Sequence, residues 1–573
     1  MKRKGLFLVA LLLMVAGTMS TLAQTHVSGV VTDASNGDPI MKRILSILLL
    51  CSILSGMAAQ TDGYYYQPAQ GWCGDPMPFY DTQSELFRIY YLQDFRPNNI
   101  ATYHPVYAVE TADMTHYTAL GEVLPTGNMW AQDAAIGTGS VIWCEAQQKY
   151  YFFYTGNKYQ PGPDECAQVI MSATSTDGVN WTKTNFRLNG VAGYYYRNDF
   201  RDPEVFMGED GQYHMLVATG KDGRNVLAHF TSSDLQQWTD KGVFMTTMWD
   251  RFYECPNVFK MGEWWYLVYS ELHREIRRVQ YFKARTFEGL KTCTANDIPL
   301  WPDNHEGYLD SRGLYAGKTA CDGTNRYLWG WCPTRRNNDN TAVNNDNGEP
   351  DWAGTLVAHR LIQHADGALT LGEVEGIRNY HNCTTYSMAH SSLSAGQHIN
   401  LPALGERTHL SFTLTTGNIN DKFGLSVCRD ANTNLFYSLI VNPENDGLRK
   451  INFEQENGMG FIPYIDGYFF TQPADKTYHI DIYIDRSVLV MYINDVACYT
   501  NRIYGMQSHG WTINCYSGSA QISNVTQRVY DPNIEGIEQT GVNVPVQKVL
   551  LNGQLVIRLP GRMYSAMGQC INK

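Results

Sequence analysis

The fold is decided by a stretch that reads Val258-Phe259-Lys260-Met261-Gly262-Glu263-Trp264-Trp265-Tyr266-Leu267-Val268-Tyr269-Ser270. It combines an apolar strand, a polar turn and a strand rich in aromatic residues. The same unit occurs five times, at intervals of 61, 62, 52 and 62 residues between the aromatic-rich strands near Tyr90, Tyr151, Tyr213, Trp265 and Tyr327. Such a period in a chain without amphipathic helical periodicity predicts an all-β fold with a five-bladed β-propeller. The alternative is an irregular sandwich with coincidental spacing.

The five units place the propeller within residues 60–380, in the hairpins Met77–Leu92, Val141–Tyr154, Val205–Thr219, Val258–Ser270 and Leu314–Trp331. Residues 381–530 continue as alternating strands without the blade pattern, which predicts a C-terminal β-sandwich. Residues 531–573 are expected to form a linker and a tail. The ending resembles the C-terminal sorting tails of secreted Bacteroidetes proteins, and a small hairpin is the alternative.

Composition limits the classes of partner. The net charge of −12 argues against nucleic acid and against anionic membrane surfaces. The chain contains 37 Tyr, 22 Phe and 13 Trp, whose rings suit the C–H faces of sugars but are also common in many-stranded β proteins. The 13 cysteines include no Cys-x-x-Cys pair and no His/Cys cluster, so no metal site is predicted.

The N-terminus carries two export signals in tandem. Residues 1–23 and residues 41–59 each contain a basic start, a short apolar run and a small-residue cleavage site. We expect an exported protein with no integral membrane span after signal removal. We also expect residues 1–40 to be a gene-model or fusion artefact, with a true start at Met41 and a mature N-terminus near Gln60. Periplasm, outer surface and medium remain open as destinations.

Three carboxylates lie beside prolines and far apart in the chain: Asp75 before Pro76, Asp202 before Pro203, and Glu254 two residues before Pro256. Proline restricts the residue before it to extended conformations, so Asp202 is expected to point in one direction, towards the propeller axis. Glycoside hydrolysis requires such a set, with one carboxylate as nucleophile, one carboxyl as acid/base and often a third that binds the sugar.

The order Asp-Pro, Arg-Asp-Pro, Glu-Cys resembles glycoside hydrolase family 32, the fructan-cleaving enzymes. Weaker matches follow in the family's order over roughly residues 70 to 380, in the segments 137–140, 154–157, 173–178, 309–316, 328–331 and 352–360. The family's fold is a five-bladed propeller followed by a sandwich, which agrees with the prediction from the repeats.

The resemblance implies roles for individual residues. Asp75 would be the nucleophile, Glu254 the acid/base and Asp202 the residue that binds two sugar hydroxyls and stabilises the transition state. Trp72, Ser140, Arg201 and Asp310 are expected to contact substrate, and Arg201 also to hold Glu254 in place. The sequence departs from the family pattern around the nucleophile, where Gly74, Met77 and Pro78 replace Asn, Asn and Gly, and at His359, which replaces a proline.

The resemblance therefore implies an exported enzyme that hydrolyses β-fructofuranosidic bonds of an oligo- or polysaccharide with retention, without a cofactor. Retention requires the Asp75 and Glu254 carboxyl groups to lie about 5–5.5 Å apart. Two alternatives remain open: an inverting arabinan-type furanosidase of family 43, and a non-catalytic fructan-binding protein with a decayed nucleophile loop. The sequence does not choose between sucrose, inulin and levan, between exo and endo attack, or among oligomeric states.

Overall fold

The structure is a computed structural model. It describes residues 60–95, 104–190, 194–247, 251–273, 276–293, 300–301, 305–306, 308–335, 350–427, 436–444, 447–457, 460–531, 547–551, 554–559, 562–565 and 570–571. The two predicted export signals lie outside these residues. Within the described ranges, no helix is both long and apolar enough to cross a membrane.

Five antiparallel blades of consecutive strands form a ring, which confirms the predicted propeller. Blade I contains β1 (Gln60–Asp62), β2 (Trp72–Asp81), β3 (Leu86–Asp94), β4 (Val106–Thr111) and β5 (His116–Leu124). Blade II contains β6 (Ala135–Cys144), β7 (Lys149–Asn157), β8 (Gln168–Ser175) and β9 (Thr182–Leu188). Blade III contains β10 (Phe200–Met207), β11 (Tyr213–Lys221), β12 (Arg224–Ser232) and β13 (Thr239–Thr246).

The last two blades complete the ring. Blade IV contains β14 (Phe252–Met261), β15 (Trp264–His273) and β16 (Ile276–Ala284), and the ribbon β17 (Leu300–Trp301) and β18 (His305–Glu306) follows it in the chain. Blade V contains β19 (Tyr315–Cys321), β20 (Arg326–Arg335), β21 (Pro350–Gln363) and β22 (Leu369–Gly372). The helices among the described residues are a 3-10 turn (Glu145–Gln147), α1 (Phe287–Leu290) and α2 (Glu375–Asn379).

The ring closes where β2 pairs with β21 through Cys73 and Gly354. On the other side of β21, a Cβ atom at Gly354 would lie 1.7 Å from the carbonyl oxygen of Cys332 on β20, so only glycine fits there. The first and last blades therefore form one continuous sheet.

The five predicted hairpins are the two innermost strands of the five blades: β2–β3, β6–β7, β10–β11, β14–β15 and β19–β20. Each innermost strand has a β-bulge near its start, after Gly74, Gly137, Arg201, Glu254 and Tyr315 respectively. A bulge adds a residue to one strand and redirects the side chains beside it. We call the end of the propeller at which these innermost strands begin the mouth.

Two six-stranded antiparallel sheets form the C-terminal sandwich, as predicted. In sheet order, one consists of β23 (Cys383–Ser394), β34 (Ser519–Val529), β25 (Arg407–Thr416), β30 (Thr477–Asp485), β31 (Val488–Ile493) and β32 (Ala497–Arg502). The other consists of β24 (His398–Ala403), β33 (Gly510–Cys515), β26 (Phe423–Val427), β27 (Phe436–Pro443), β28 (Leu448–Asn457) and β29 (Gly460–Thr471). The tail forms a small antiparallel sheet of β35 (Gln547–Leu551), β36 (Gln554–Leu559), β37 (Arg562–Ser565) and β38 (Cys570–Ile571).

Buried arginines join the propeller to the sandwich. The Arg502 guanidinium, fully buried on β32, donates to the carbonyl oxygens of Cys332 and Pro333 in blade V at 2.7 and 2.6 Å. Arg335, on β20, donates in return to the Asn501 side chain at 2.8 Å and to the Arg502 carbonyl. Hydrogen bonds from charged donors in a buried contact fix the relative position of the two domains.

Candidate active site

A cavity of about 580 Å³ opens at the mouth and is lined by the bulged starts of the innermost strands. Its lining includes the three carboxylates that the sequence singled out, from blades I, III and IV: Asp75, Asp202 and Glu254. Thr138, Arg201, Cys255 and Tyr315 are neighbours in the same lining. The fold thus brings together three carboxylates that are up to 179 positions apart in the chain.

Asp75 is held by one donor on each carboxylate oxygen. The Thr138 hydroxyl donates to Oδ2 at 2.6 Å, and the Trp331 indole N–H donates to Oδ1 at 2.9 Å. Burial raises the pKa of Asp75, the two hydrogen bonds oppose that rise, and the nearby charge of Glu254 adds to it. The donors therefore orient the carboxylate and favour its ionised form, which is the form able to act as a nucleophile.

Asp202 lies at the bulge of β10 in a left-handed backbone conformation, with φ of +58°. The extended conformation expected from Pro203 is therefore wrong, because the bulge sets the backbone here, although the side chain does line the cavity. Its Oδ2 accepts from the Cys255 backbone N–H at 3.0 Å and lies 4.0 Å from Arg201 Nε. The pKa of Asp202 is raised to about 7, mainly by burial; Arg201 opposes the rise, and the charge of Glu254 adds to it. The left-handed backbone and the burial of this carboxylate near Glu254 both destabilise the fold, and a turn with only a structural role would need neither.

Glu254 accepts hydrogen bonds from two side chains, the charged guanidinium of Arg201 and the phenol of Tyr315. Arg201 Nη2 donates to Oε1 at 2.8 Å, and the Tyr315 hydroxyl donates to Oε2. Arg201 also donates to Asp199 at 2.8 Å and packs 3.9 Å from the centre of the Phe252 ring. This places Arg201 beside Glu254, as the sequence analysis expected, and fixes its planar guanidinium between two carboxylates.

An aromatic pair connects the donors of the two carboxylates. Tyr315 and Trp331 face each other across β19 and β20 and pack edge to face, with ring centres 5.5 Å apart. Tyr315 donates to Glu254 and Trp331 donates to Asp75. Both residues lie in segments that match the family pattern, but no role was predicted for either. Their direct pairing across the two strands would have indicated a shared role.

The departures from the family pattern near Asp75 are accommodated by packing. A Cβ atom at Gly74 would lie 2.2 Å from the Trp352 ring, so that ring fills the space of the expected asparagine side chain. His104 stacks on Trp352 with ring centres 4.2 Å apart. Met77 is buried, and its sulfur accepts from the Gly139 N–H at 3.1 Å. The loop around Asp75 is therefore well packed.

Ser140, which the sequence predicted to contact substrate, is not one of the described residues that line the cavity; Thr138 lines it instead. Ser140 is buried between blades II and III, where its hydroxyl donates to the Pro203 carbonyl and accepts from the Val205 N–H, both at 2.9 Å. The bulge after Gly137 shifts the strand by one residue, so that the Gly-Thr-Gly-Ser segment presents its threonine.

Two further predicted contacts also lie away from this lining. The Trp72 ring lies beside the sandwich, 5.8 Å from the Arg502 guanidinium carbon. Asp310 is 1% exposed at the boundary between the domains. It accepts from the Ser311 N–H at 2.6 Å and from the Thr500 N–H and hydroxyl at 2.8 and 2.5 Å. Asp310 thus connects the segment before β19 to β32, and its surroundings are those of a structural residue.

Two groups of possible metal ligands occur in the part of the chain that is described: Asp310, His359 and Cys498, and Glu373, His409 and Asp481. Neither group contributes to the cavity lining. His359, the replacement for the family's proline, has its Nε2 3.3 Å from Asp310 Oδ2 and belongs to the domain boundary. Cys255 in the cavity is a buried thiol whose pKa is raised by burial, as expected for a packing residue.

Comparison with known proteins yields two adjacent domain matches. The profile "Glycosyl hydrolases family 32 N-terminal domain" matches residues 65–371, and the profile "GH32, BT1760-like, C-terminal domain" matches residues 367–527. Sucrose-6-phosphate hydrolase of Escherichia coli is 23% identical over 77% of this chain and 88% of its own length. Levanase of Bacillus subtilis is 24% identical over 38% of this chain and 34% of its own length.

Solved structures show the same fold. Fructan 1-exohydrolase IIa from Cichorium intybus has a TM-score of 0.66 at 15% identity and covers 82% of this chain and 97% of its own. Exo-inulinase from Aspergillus awamori has a TM-score of 0.65 at 16% identity, over 82% of this chain and 98% of its own. The plant exohydrolase is also known in complex with 1-kestose.

Proposed function

The chain belongs to glycoside hydrolase family 32, and from this premise we propose that it is an exported enzyme that hydrolyses β-fructofuranosidic bonds of sucrose or fructans with retention of configuration. Its relatives are glycosidases that hydrolyse O-glycosyl bonds, and several act on fructosides by name. Family membership and the well-packed nucleophile loop favour this function over an arabinan-type furanosidase and over a decayed binding protein.

In the first step, an ionised Asp75 oxygen attacks the anomeric C2 of the fructosyl unit. Glu254 donates its proton to the leaving oxygen, so that the glycosidic bond breaks as the Asp75–C2 bond forms. Thr138 and Trp331 orient the attacking carboxylate through their hydrogen bonds. Glu254 becomes ionised, and Arg201 and Tyr315 are in place to stabilise that charge.

In the second step, Glu254 accepts a proton from a water molecule, whose oxygen attacks C2 and releases Asp75. Asp202 binds hydroxyl groups of the same sugar ring and stabilises the positive charge that develops there. Its buried position beside the cavity suits this role, because a carboxylate in a medium of low polarity interacts more strongly with developing charge.

The single observation that carries the proposal is the meeting of Asp75, Asp202 and Glu254 in one cavity, with separate donors for the nucleophile and for the acid/base. The test is release of reducing sugar from sucrose, sucrose 6-phosphate, inulin and levan by a chain starting near Gln60. Activity that is lost in Glu254→Ala supports the proposal. Absence of activity on all four substrates contradicts it.

Export is proposed from the sequence alone. The two consecutive signals at residues 1–23 and 41–59 predict secretion and a mature N-terminus near Gln60. N-terminal sequencing of the protein secreted by its native host tests this. A terminus within residues 24–40 would show that the first segment belongs to the protein, and retention in the cytoplasm would contradict export.

A further inference from the structure

The exposed aromatic side chains of the propeller all lie at the mouth, within the described part of the chain. They are Phe95, Trp130, Tyr159, Tyr194 and Tyr196. Chain direction establishes their position: each innermost strand runs away from the mouth and the next strand returns, so the segments after β3, β5, β7 and β9 lie at the mouth.

The opposite end of the blades has a different surface. The turns of the five inner hairpins there contain Asp81 to Ser84, Glu145 to Gln148, Glu209 to Gly211, Met261 to Glu263, and Cys321 to Thr324. These turns are polar or charged and expose no large aromatic ring. The exposure of aromatic residues is therefore specific to the end of the propeller that carries the cavity, and it is not a general consequence of the aromatic composition.

Trp130 and Tyr159 are the most exposed of the five, at 69% and 54%. Tyr159 itself lines the cavity. Trp130 lies five residues before Ala135, which is also part of the lining. Tyr159 thus belongs to the cavity, and Trp130 lies in the loop that leads into β6, whose first residue is part of the lining.

The loops that carry these rings are held by specific hydrogen bonds. The Gln132 side-chain amide donates to the carbonyl oxygens of Gly156, Cys166 and Ala167 at 3.2 to 3.3 Å, and so joins the loop of Trp130 to the loop of Tyr159. The Gly127 N–H closes the first loop on the Asp133 carbonyl at 2.8 Å. Glu165 closes the second loop by pairing with Lys158.

We propose that Trp130 and Tyr159 form a binding platform for the sugar units of a fructan chain that extends beyond the bond being cleaved. This inference rests on the proposed function and deepens it, because it names a polymeric fructan rather than sucrose as the preferred substrate. Aromatic faces stack on the C–H faces of sugar rings. An exposed ring in the cavity lining, on a loop hydrogen-bonded to the loop of a second exposed ring, is suited to a chain that leaves that cavity. Sucrose is too short to gain from this contact.

The test is the ratio of kcat/KM on levan or inulin to kcat/KM on sucrose. We expect Trp130→Ala to lower this ratio about fivefold to tenfold, as for the loss of one aromatic contact. Tyr159→Phe keeps the ring and should keep the ratio closer to that of the wild type than Tyr159→Ala does. The matched control is Tyr516→Ala, which removes an exposed aromatic residue of the sandwich and should leave the ratio at its wild-type value.

Binding is measured separately by retardation of the Glu254→Ala protein in gels that contain levan or inulin. Less retardation when Trp130→Ala is added supports the platform even if the wild type hydrolyses nothing, a case in which only the proposed function fails. An unchanged ratio and unchanged retardation in Trp130→Ala overturn the platform. So does a wild type that hydrolyses sucrose but neither hydrolyses nor binds either polymer.

Discussion

Asp202 and Asp310 are both buried aspartates that the sequence analysis assigned to the site, yet their surroundings are opposite. Asp310 accepts three hydrogen bonds from Ser311 and Thr500, and His359 lies beside it. Asp202 accepts one backbone hydrogen bond, lies 4.0 Å from its cation and shares the cavity with two other carboxylates. A buried carboxylate whose oxygens have several hydrogen-bond donors, such as Asp310, stabilises the fold. A buried carboxylate with one donor and like charges nearby, such as Asp202, is available for chemistry.

The largest expected difference between the two aspartates is in catalysis. Asp202→Asn removes the charge that stabilises the transition state and should lower kcat by about 10³-fold. Asp310→Asn should leave kcat within a few fold of the wild type, since Asp310 lies outside the cavity lining. Steady-state kinetics on whichever fructoside is hydrolysed best checks this pair. Equal losses in the two variants would remove the distinction.

The next effect concerns stability. Asp310→Ala leaves the N–H groups of Ser311 and Thr500 without their acceptor at the domain boundary, and should lower the free energy of unfolding by about 3 kcal/mol. Denaturant unfolding measures this change. A variant as stable as the wild type would mean that the buried network contributes little to joining the domains.

Asp202 should affect stability in the other direction, and only at higher pH. Because its folded pKa of about 7 exceeds the ordinary value of 3.8, the folded state favours the protonated form, and stability falls as pH rises from about 4 through 7. Asp202→Asn removes this penalty, so the variant should be more stable than the wild type by about 1–3 kcal/mol at pH 8 and similar to it near pH 3.5. Thermal unfolding of both proteins across this range is the measurement, and a variant less stable at pH 8 would contradict the assigned shift.

The smallest effect concerns a donor rather than a carboxylate. Tyr315→Phe removes the hydroxyl that donates to Glu254 and should lower kcat about tenfold, because the ionised acid/base loses one stabilising hydrogen bond. Tyr150→Phe is the matched control, since it removes a tyrosine–carboxylate hydrogen bond of 3.0 Å to Asp81 at the opposite end of the propeller. If the two variants have the same kcat, the Tyr315 hydroxyl has no special role.

Local sequence predicts the blades because each hairpin is a local object: an apolar strand, a polar turn and an aromatic strand within about 15 residues. All five predicted hairpins occur as the innermost strand pairs. The same locality explains why Asp75, Asp202 and Glu254 were found, since each lies just before such a hairpin. Because each of the three carboxylates lies at the start of an innermost strand, its position in the repeat places it at the mouth of the propeller.

The residues that sequence misplaced depend on contacts between distant segments. Thr138 rather than Ser140 reaches the cavity because of a bulge, which is set by pairing with the neighbouring strand. Asp310 meets Thr500 only when blade V packs on the sandwich, a contact that spans 190 positions. Glycine is required at position 74 because the ring of Trp352 occupies the space that a side chain would fill there. No local pattern contains this information.

In the proposed mechanism, Asp75 attacks the sugar and forms a covalent intermediate. Mass spectrometry can detect this intermediate in Glu254→Ala after reaction with a fructoside whose leaving group needs no protonation. We expect the added mass of one fructosyl unit on the peptide that contains Asp75, and none when Asp75→Asn is introduced as well. A fructosyl unit on another residue, or release of product with inverted configuration and no adduct, would contradict it.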